Sequence, residues 1–189
     1  MGKSTAAKMM SKLGAPVHSA DKAVHKALSK EGSAIKPVSK TFPETVQHNA
    51  INKKLLGQIV FFSPAKLKRL EKILHPLVEK SQTLFINQAI KQKKKAVVLE
   101  IPLLFETNAQ KRCDLTVCVT APYKIQYARV LKRKGMTPKT FKSIIKKQMP
   151  NKEKCRKADY IIQTGIGIAD TNRQIKIMWN KLIKDGKLK

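Results

Sequence analysis

Acidic residues are scarce: 12 Asp and Glu stand against 40 Lys and Arg, which leaves a formal net charge of +28 over 189 residues. Aromatics make up only 5% of the chain, so platforms for stacking nucleic-acid bases are poorly supplied. Arginine is also sparse beside lysine, although specific phosphate and base recognition favours the Arg fork. The lysines are spread along almost every segment rather than gathered in a stripe. The charge therefore reads as a lysine-biased composition with a few real anion contacts. A basic nucleic-acid-binding module stays as an alternative, one that predicts salt-steep binding and no ATP turnover. The three cysteines are odd in number and lack zinc-ligand spacing, which indicates reduced thiols and a cytoplasmic setting. No apolar run approaches a membrane span, no signal-peptide pattern opens the chain, and no internal repeat is present. What remains is one substantial core with room for a small inserted subdomain.

The feature that orders the rest is Gly2-Lys3-Ser4-Thr5, the closing half of the phosphate-binding loop G-x-x-x-x-G-K-[ST]. In a complete loop the backbone N–H groups cradle the β-phosphate, the Lys reaches the β/γ-phosphates, and the Ser hydroxyl ligates Mg²⁺. Residues 4–13 are strong helix formers and stop at Gly14, so a helix dipole adds to the anion site. The opening half of the loop is absent, and a terminal Gly-Lys-Ser-Thr alone is a weak signal.

Further along, Val17 to Asp21 reads as a brief strand with Asp21 near its carboxyl end, where ligands of open α/β sheets gather. Asp21 there can take a proton from a hydroxyl, or it can simply N-cap a helix over residues 22–29. Residues 31–45 read as a loop with at most one helical turn. Helical stripes follow, the first on Leu55, Leu56, Ile59, Val60 and Phe61. The second, opened by Pro64, uses Leu67, Leu70, Ile73 and Leu74. Pro76 is expected to interrupt this second helix, with His75 as its cap, after which Leu77, Leu84, Phe85 and Ile90 continue an apolar face.

Residues 96–102, 114–120 and 158–163 read as buried strands of a parallel sheet. Pro102-Leu103-Leu104-Phe105 either walls a ligand cleft at a strand end or anchors a loop in the core. A helix over 123–134 is followed by another from Pro138, capped by Thr137 and running to about Gln148. The stretch 129–156 is a basic helical excursion between two strands, either a mobile lid or a plain exposed hairpin. A last amphipathic helix over 171–182 turns Ile175, Met178 and Trp179 inward, and residues 184–189 are expected to fray. The alternation indicates an α/β protein with a mostly parallel sheet.

In order and spacing, these landmarks resemble the dephospho-CoA kinase family of P-loop kinases over essentially the whole chain. They are Gly2-Lys3-Ser4-Thr5, Val17 to Asp21, Asn52 to Phe61, Leu74-His75-Pro76-Leu77, Ile101 to Glu106, Arg129 with Arg133, Gln148, and Ala158 to Ile162 followed by Thr164-Gly165. The resemblance implies a three-layer P-loop fold with a core at 1–30, 93–128 and 157–189. It also implies a helical CoA-binding region at 31–92 and a lid at 129–156. It implies ATP- and Mg²⁺-dependent phosphorylation of the ribose 3′-hydroxyl of dephospho-CoA, the last step of coenzyme A synthesis, by a cytoplasmic monomer. Another P-loop nucleoside or nucleotide kinase is the rival within the same class.

Carried over by the resemblance, Lys3, Asp21 and Arg133 are catalytic, with Asp21 the base. Gly2, Lys3, Ser4, Thr5, Arg129, Gln148 and Thr164 hold the nucleotide, and Ser4 holds Mg²⁺. Asp21, His75, Pro102, Leu103, Leu104 and Phe105 meet the acceptor. Ser19 departs from a common Asp. Gln163 and Thr164 depart from a common Asp-Asn pair near the expected adenine contacts. Relatives also carry a strand and half a loop ahead of Gly2. The expectation is therefore that about a dozen residues, including the central strand, are missing before Met1. The chain as it stands is expected to be weakly active or inactive.

Overall fold

Helices and short strands alternate along the computed structural model, which describes residues 2–48 and 50–188. In chain order the elements are α1 (Lys3–Lys12), β1 (Val17–Ser19), α2 (Ala20–Ala27), α3 (Ile35–Thr41), β2 (Val46–Gln47), β3 (Ala50–Ile51) and α4 (Lys53–Phe61). There follow α5 (Pro64–Lys91), β4 (Val98–Glu100), β5 (Val117–Thr120), α6 (Tyr123–Leu131), α7 (Pro138–Lys147), α8 (Asn151–Lys157), β6 (Tyr160–Gln163) and α9 (Ile168–Lys184). Among the described residues the ladders join strands in pairs: β1 with β4, β2 with β3 antiparallel, and β5 with β6 parallel. No described helix is long and apolar enough to cross a membrane. The chain divides into two compact units, residues 1–17 with 100–189, and residues 18–99.

In the first unit, β5 and β6 run side by side with Val117 opposite Tyr160 and Thr120 opposite Gln163. Both strands are shorter than their apolar runs suggest, because a side-chain clasp replaces the ladder at their start. The Asp159 carboxylate accepts from the Thr116 amide and hydroxyl, each at 2.7 Å, and the Thr116 hydroxyl accepts from the Asp159 amide at 3.1 Å. The Thr116 hydroxyl and then its amide hold the Asp159 carboxyl below its ordinary range. A depressed carboxyl stabilises the fold fully above its unfolded value of about 3.9, and that stability is lost as pH falls through the folded value. Asp159→Asn should therefore lower Tm by about 2–4 °C near pH 7. Melting curves of the two proteins should draw together as pH falls below the unfolded carboxyl value of about 3.9.

Helix α9 carries Ile175, Met178 and Leu182 into the core and packs on β6 and on α1, whose Ala6, Ala7 and Met10 are buried. It begins three residues before the expected Thr171 and ends two after Leu182. The expected fraying from 184 is not found through residue 188. Gly186 takes the left-handed conformation (φ 68°), the amides of Lys187 and Leu188 donate to the Leu182 carbonyl, and Leu188 is buried. Helices α6 and α7 form a hairpin stapled by rings, with Tyr127 5.3 Å and Tyr123 5.8 Å from the buried Phe141. Thr137 caps α7 as expected, its hydroxyl accepting from the Thr140 amide. Helix α8 is absent from the sequence reading, which carried the helix from Pro138 to about Gln148 and gave none after it within the 129–156 excursion. Pro150 stands at the N-cap position of α8. The buried Cys118 thiol lies 3.8 Å from that of Cys155, and burial followed by its neighbour pushes it up to about 12, so it stays protonated.

The second unit has its core on Ala27, Leu28, Ala34, Val38, Phe42, Ile51, Leu56, Val60, Leu70 and Leu74. Here α3 replaces the expected loop. Pro37 sits in the first turn, where its missing N–H is not needed, and burial of Val38 and Phe42 supplies roughly 1.5–3 kcal/mol each. Helix α5 runs unbroken through His75-Pro76, contrary to the expected interruption. An internal proline costs about 3 kcal/mol. The helix survives it because Leu70 and Leu74 are locked into the core against α2, α3 and α4. His75 is consequently mid-helix and exposed, not a cap.

Leu67, Leu84 and Ile90 are exposed, which corrects the apolar face. In the second half of α5 the buried stripe follows Gln82 and Ala89, and one residue of offset turns a side chain by 100°. His18 packs on that half, its Nε2 3.0 Å from Ser81 Oγ and its ring 5.4 Å from Phe85. Burial holds its basicity down. Ser19, not Asp21, occupies the N-cap position of α2, and Asp21 lies in the first turn, exposed.

Candidate active site

The front of α1 is shaped by Gly2, which sits at φ 86°, ψ 9°, a left-handed conformation that side chains disfavour. A Cβ at this position would also meet Thr164 Cγ2 at 3.2 Å. Glycine thus satisfies two requirements at once, backbone conformation and close approach. The Gly2 carbonyl accepts the first helical bond from Ala6 at 2.9 Å, and no side chain caps the first turn. The N–H groups of that turn and the positive end of the helix dipole therefore face outward as an anion site.

Two side chains from this turn converge on a single carboxylate oxygen. Lys3 Nζ donates to Glu100 Oε1 at 2.7 Å, and Ser4 Oγ donates to the same oxygen at 2.5 Å. Glu100 closes β4 and is 8% exposed. A buried carboxylate is disfavoured unless it is paired and hydrogen-bonded, and the Lys3 ammonium and Ser4 hydroxyl are two of the groups that pair it. Sequence reasoning missed Glu100, taking its run as apolar. Its signal was there: one acid at the carboxyl end of a strand otherwise made of aliphatic residues.

Thr164 joins this turn to Arg129. It is buried, and its amide and hydroxyl donate to the Thr120 carbonyl at 2.8 and 3.0 Å. Arg129 Nη2 donates to the Thr164 carbonyl at 2.8 Å, and Nη1 to its hydroxyl at 3.3 Å. The guanidinium is thereby held beside the residue that Gly2 touches. Arg133 lies two residues past the end of α6 and is exposed, and Gln148 follows α7, half-buried. Thr5 is exposed on α1. In the turn after β4, Phe105 is buried while Pro102 is exposed and Leu103 and Leu104 are half-buried. Phe105 is therefore a core anchor, and the other three remain available as a wall. The first unit brings together Gly2, Lys3, Ser4, Glu100, Arg129 and Thr164. Asp21 and His75 belong to the second unit.

A family model described as CoaE, dephospho-CoA kinase, matches residues 1–170. The chain is 43% identical over 175 residues to a dephospho-CoA kinase of Brucella melitensis, covering 93% of this chain and 86% of that one. It is 41% identical over 185 residues to that of Bartonella quintana, covering 98% and 94%. Among solved structures, a crystal structure from Thermus thermophilus superposes with TM-score 0.81 at 30% identity, over 96% of this chain and 92% of that one. The dephospho-CoA kinase of Campylobacter jejuni superposes with TM-score 0.70 at 28% identity, over 98% and 93%. A half phosphate loop and a buried acid are ambiguous alone, but with a family match spanning nine-tenths of the residues they are not: this chain belongs to the dephospho-CoA kinase family.

Proposed function

We propose that the chain transfers the γ-phosphoryl of ATP to the ribose 3′-hydroxyl of dephospho-CoA, giving coenzyme A and ADP, as a monomer of three-layer P-loop architecture. The core is assigned to residues 1–30, 93–128 and 157–189, the acceptor-binding helices to 31–92, and a lid to 129–156. The observation that carries this reading is the convergence of Lys3 and Ser4 on Glu100 at the open front of α1, in a chain of this family.

In this reading the amides of Gly2 to Thr5 receive phosphate oxygens, and Lys3 turns from Glu100 to the β/γ-phosphates. Arg129 and Arg133, with Gln148, face the phosphates from the lid side, and Thr164 borders the nucleotide. Pro102, Leu103 and Leu104, over the Phe105 anchor, and His75 border the acceptor. Asp21 accepts the 3′-hydroxyl proton as the oxygen bonds to the γ-phosphorus and the bond to the β–γ bridging oxygen breaks. Lys3 offsets the charge that collects on the departing oxygens.

The donor set suits Mg²⁺. Ser4 Oγ and Glu100 Oε1 are hard oxygens already within 2.5 Å of each other, and Mg²⁺ takes one or two carboxylates with substrate phosphates rather than a full protein cage. Among the described residues no cluster of three or more His, Cys, Asp or Glu offers such a cage. When bound, the ion would neutralise phosphate charge.

The test is ATP-dependent conversion of dephospho-CoA to coenzyme A, with nucleoside monophosphates as rival acceptors. It should be run on this chain and on a product extended by any residues encoded in frame upstream. Turnover on dephospho-CoA at least about a hundredfold above the rival acceptors is expected, since a mismatched buried polar group alone discriminates by about that factor or more. Preference for a nucleoside monophosphate, or turnover on neither protein, would overturn the reading.

A further inference from the structure

One half-buried carboxylate outside the phosphate site has no role in the reaction described so far. Glu106 lies in the turn that follows β4. Its Oε1 accepts from Lys154 Nζ at 2.7 Å, and the two side chains are 18% and 12% exposed. The same oxygen accepts from the Met149 amide at 3.1 Å. Met149 lies just past α7 and Lys154 lies in α8, so a single oxygen fastens the chain returning from the α6–α7 hairpin at two points. Asn151 adds a third, its Nδ2 donating to Thr120 Oγ1 at 2.6 Å. Arg129, near the other end of α6, is fastened on Thr164. The rings of Tyr123, Tyr127 and Phe141 bind the two helices into one piece.

A stapled hairpin transmits displacement of its returning root along the pair, because packed helices shift as units rather than bend. Glu106 is joined covalently, on its other side, to Pro102-Leu103-Leu104-Phe105. The Leu103 carbonyl accepts from the Thr107 amide at 3.1 Å and from its hydroxyl at 2.8 Å, which makes this turn one stiff loop. Burial pushes the Glu106 carboxyl up, but the Lys154 hydrogen bond and charge and the Met149 amide outweigh it, so the net direction is down and the group is ionised at neutral pH.

The geometry points to Glu106 as a positioning residue that couples the acceptor-side turn, 102–105, to the nucleotide-side hairpin, 123–147, through Met149 and Lys154. This rests on the proposed function, which assigns acceptor and nucleotide to those two segments. Coupling of this kind is reciprocal: each ligand strengthens the other's binding by the same factor.

The experiment measures the Kd of a non-hydrolysable ATP analogue with and without saturating dephospho-CoA, in the parent and in Glu106→Gln. Glutamine keeps an acceptor for the Met149 amide but removes the charge facing Lys154. In the parent, dephospho-CoA should tighten analogue binding about tenfold, within the usual range for coupled sites. In Glu106→Gln that ratio should fall below about twofold, with each ligand alone bound within about threefold of parent affinity. A merely structural role would weaken both ligands alone and leave the ratio intact. If Glu106→Gln does not fold, Lys154→Gln tests the same link from its other end and should also lower the ratio. An unchanged ratio in a folded variant, or no coupling in a parent that turns over dephospho-CoA, overturns the inference alone. Absence of dephospho-CoA binding and turnover in the parent overturns the proposed function together with it.

Discussion

Lys3→Ala should lower kcat about 10²- to 10³-fold, the usual loss on deleting one preorganised charge donor from a site of developing negative charge. The mechanism asks Lys3 for charge at one place, and the two arginines assigned to the phosphates stand elsewhere. Arg129 is committed to Thr164, and Arg133 stands past the end of α6. The complication is stability. Lys3 also neutralises Glu100, which is 8% exposed, so its removal leaves a buried carboxylate with one donor fewer. Losing a hydrogen bond to a charged group costs about 1.5–3 kcal/mol. The double variant Lys3→Ala with Glu100→Gln removes the charge that Lys3 offset and should recover most of the lost Tm while turnover stays low. Activity that returns along with Tm would mean that Lys3 supports the fold and does not act on phosphate. Turnover of Lys3→Ala within threefold of parent would remove Lys3 from the mechanism altogether.

The local rules that proved legible are those where a short stretch dictates its own geometry. Thr137-Pro138 opens α7 and Pro64 opens α5, each with the hydroxyl of the residue before the proline accepting a first-turn amide. Gly2-Lys3-Ser4 could be read because the phosphate loop depends on consecutive residues. What the sequence concealed depends on partners distant along the chain. Pro76 breaks a helix in isolation, and only the anchoring of Leu70 and Leu74 in a core drawn from four other elements overrides it. Glu100 looks like one polar interruption of a strand until Lys3 and Ser4, nearly a hundred positions away, are brought to its oxygen. The ends of β5 and β6 are set by Thr116 and Asp159, 43 residues apart, so neither run reveals its true length. Helix α8 has no apolar stripe of its own; Glu106 and Thr120 hold it from outside.

The second large effect is expected at Asp21, where structural and catalytic roles predict different magnitudes. Asp21 stands in the first turn of α2, two residues past the end of β1, and Ser19 has taken the N-cap position. Its carboxylate therefore contributes to the helix only as a first-turn anion, worth about 0.3–1 kcal/mol at an exposed site. Asp21→Asn should then shift Tm by no more than about 4 °C. As the base for the 3′-hydroxyl it contributes far more to rate, typically 10²- to 10⁴-fold. The lower part of that range is expected, about 10²- to 10³-fold in kcat, because in a loose phosphoryl-transfer transition state the attacking hydroxyl gives up its proton late. Asparagine keeps an acceptor oxygen for the hydroxyl, so KM for dephospho-CoA should stay within about threefold while kcat falls. A fall in kcat/KM carried by KM would show that Asp21 holds the acceptor without moving its proton. A kcat above a tenth of the parent's would leave the residue a helix-end anion, and proton transfer would have to be assigned to solvent or to the phosphate itself.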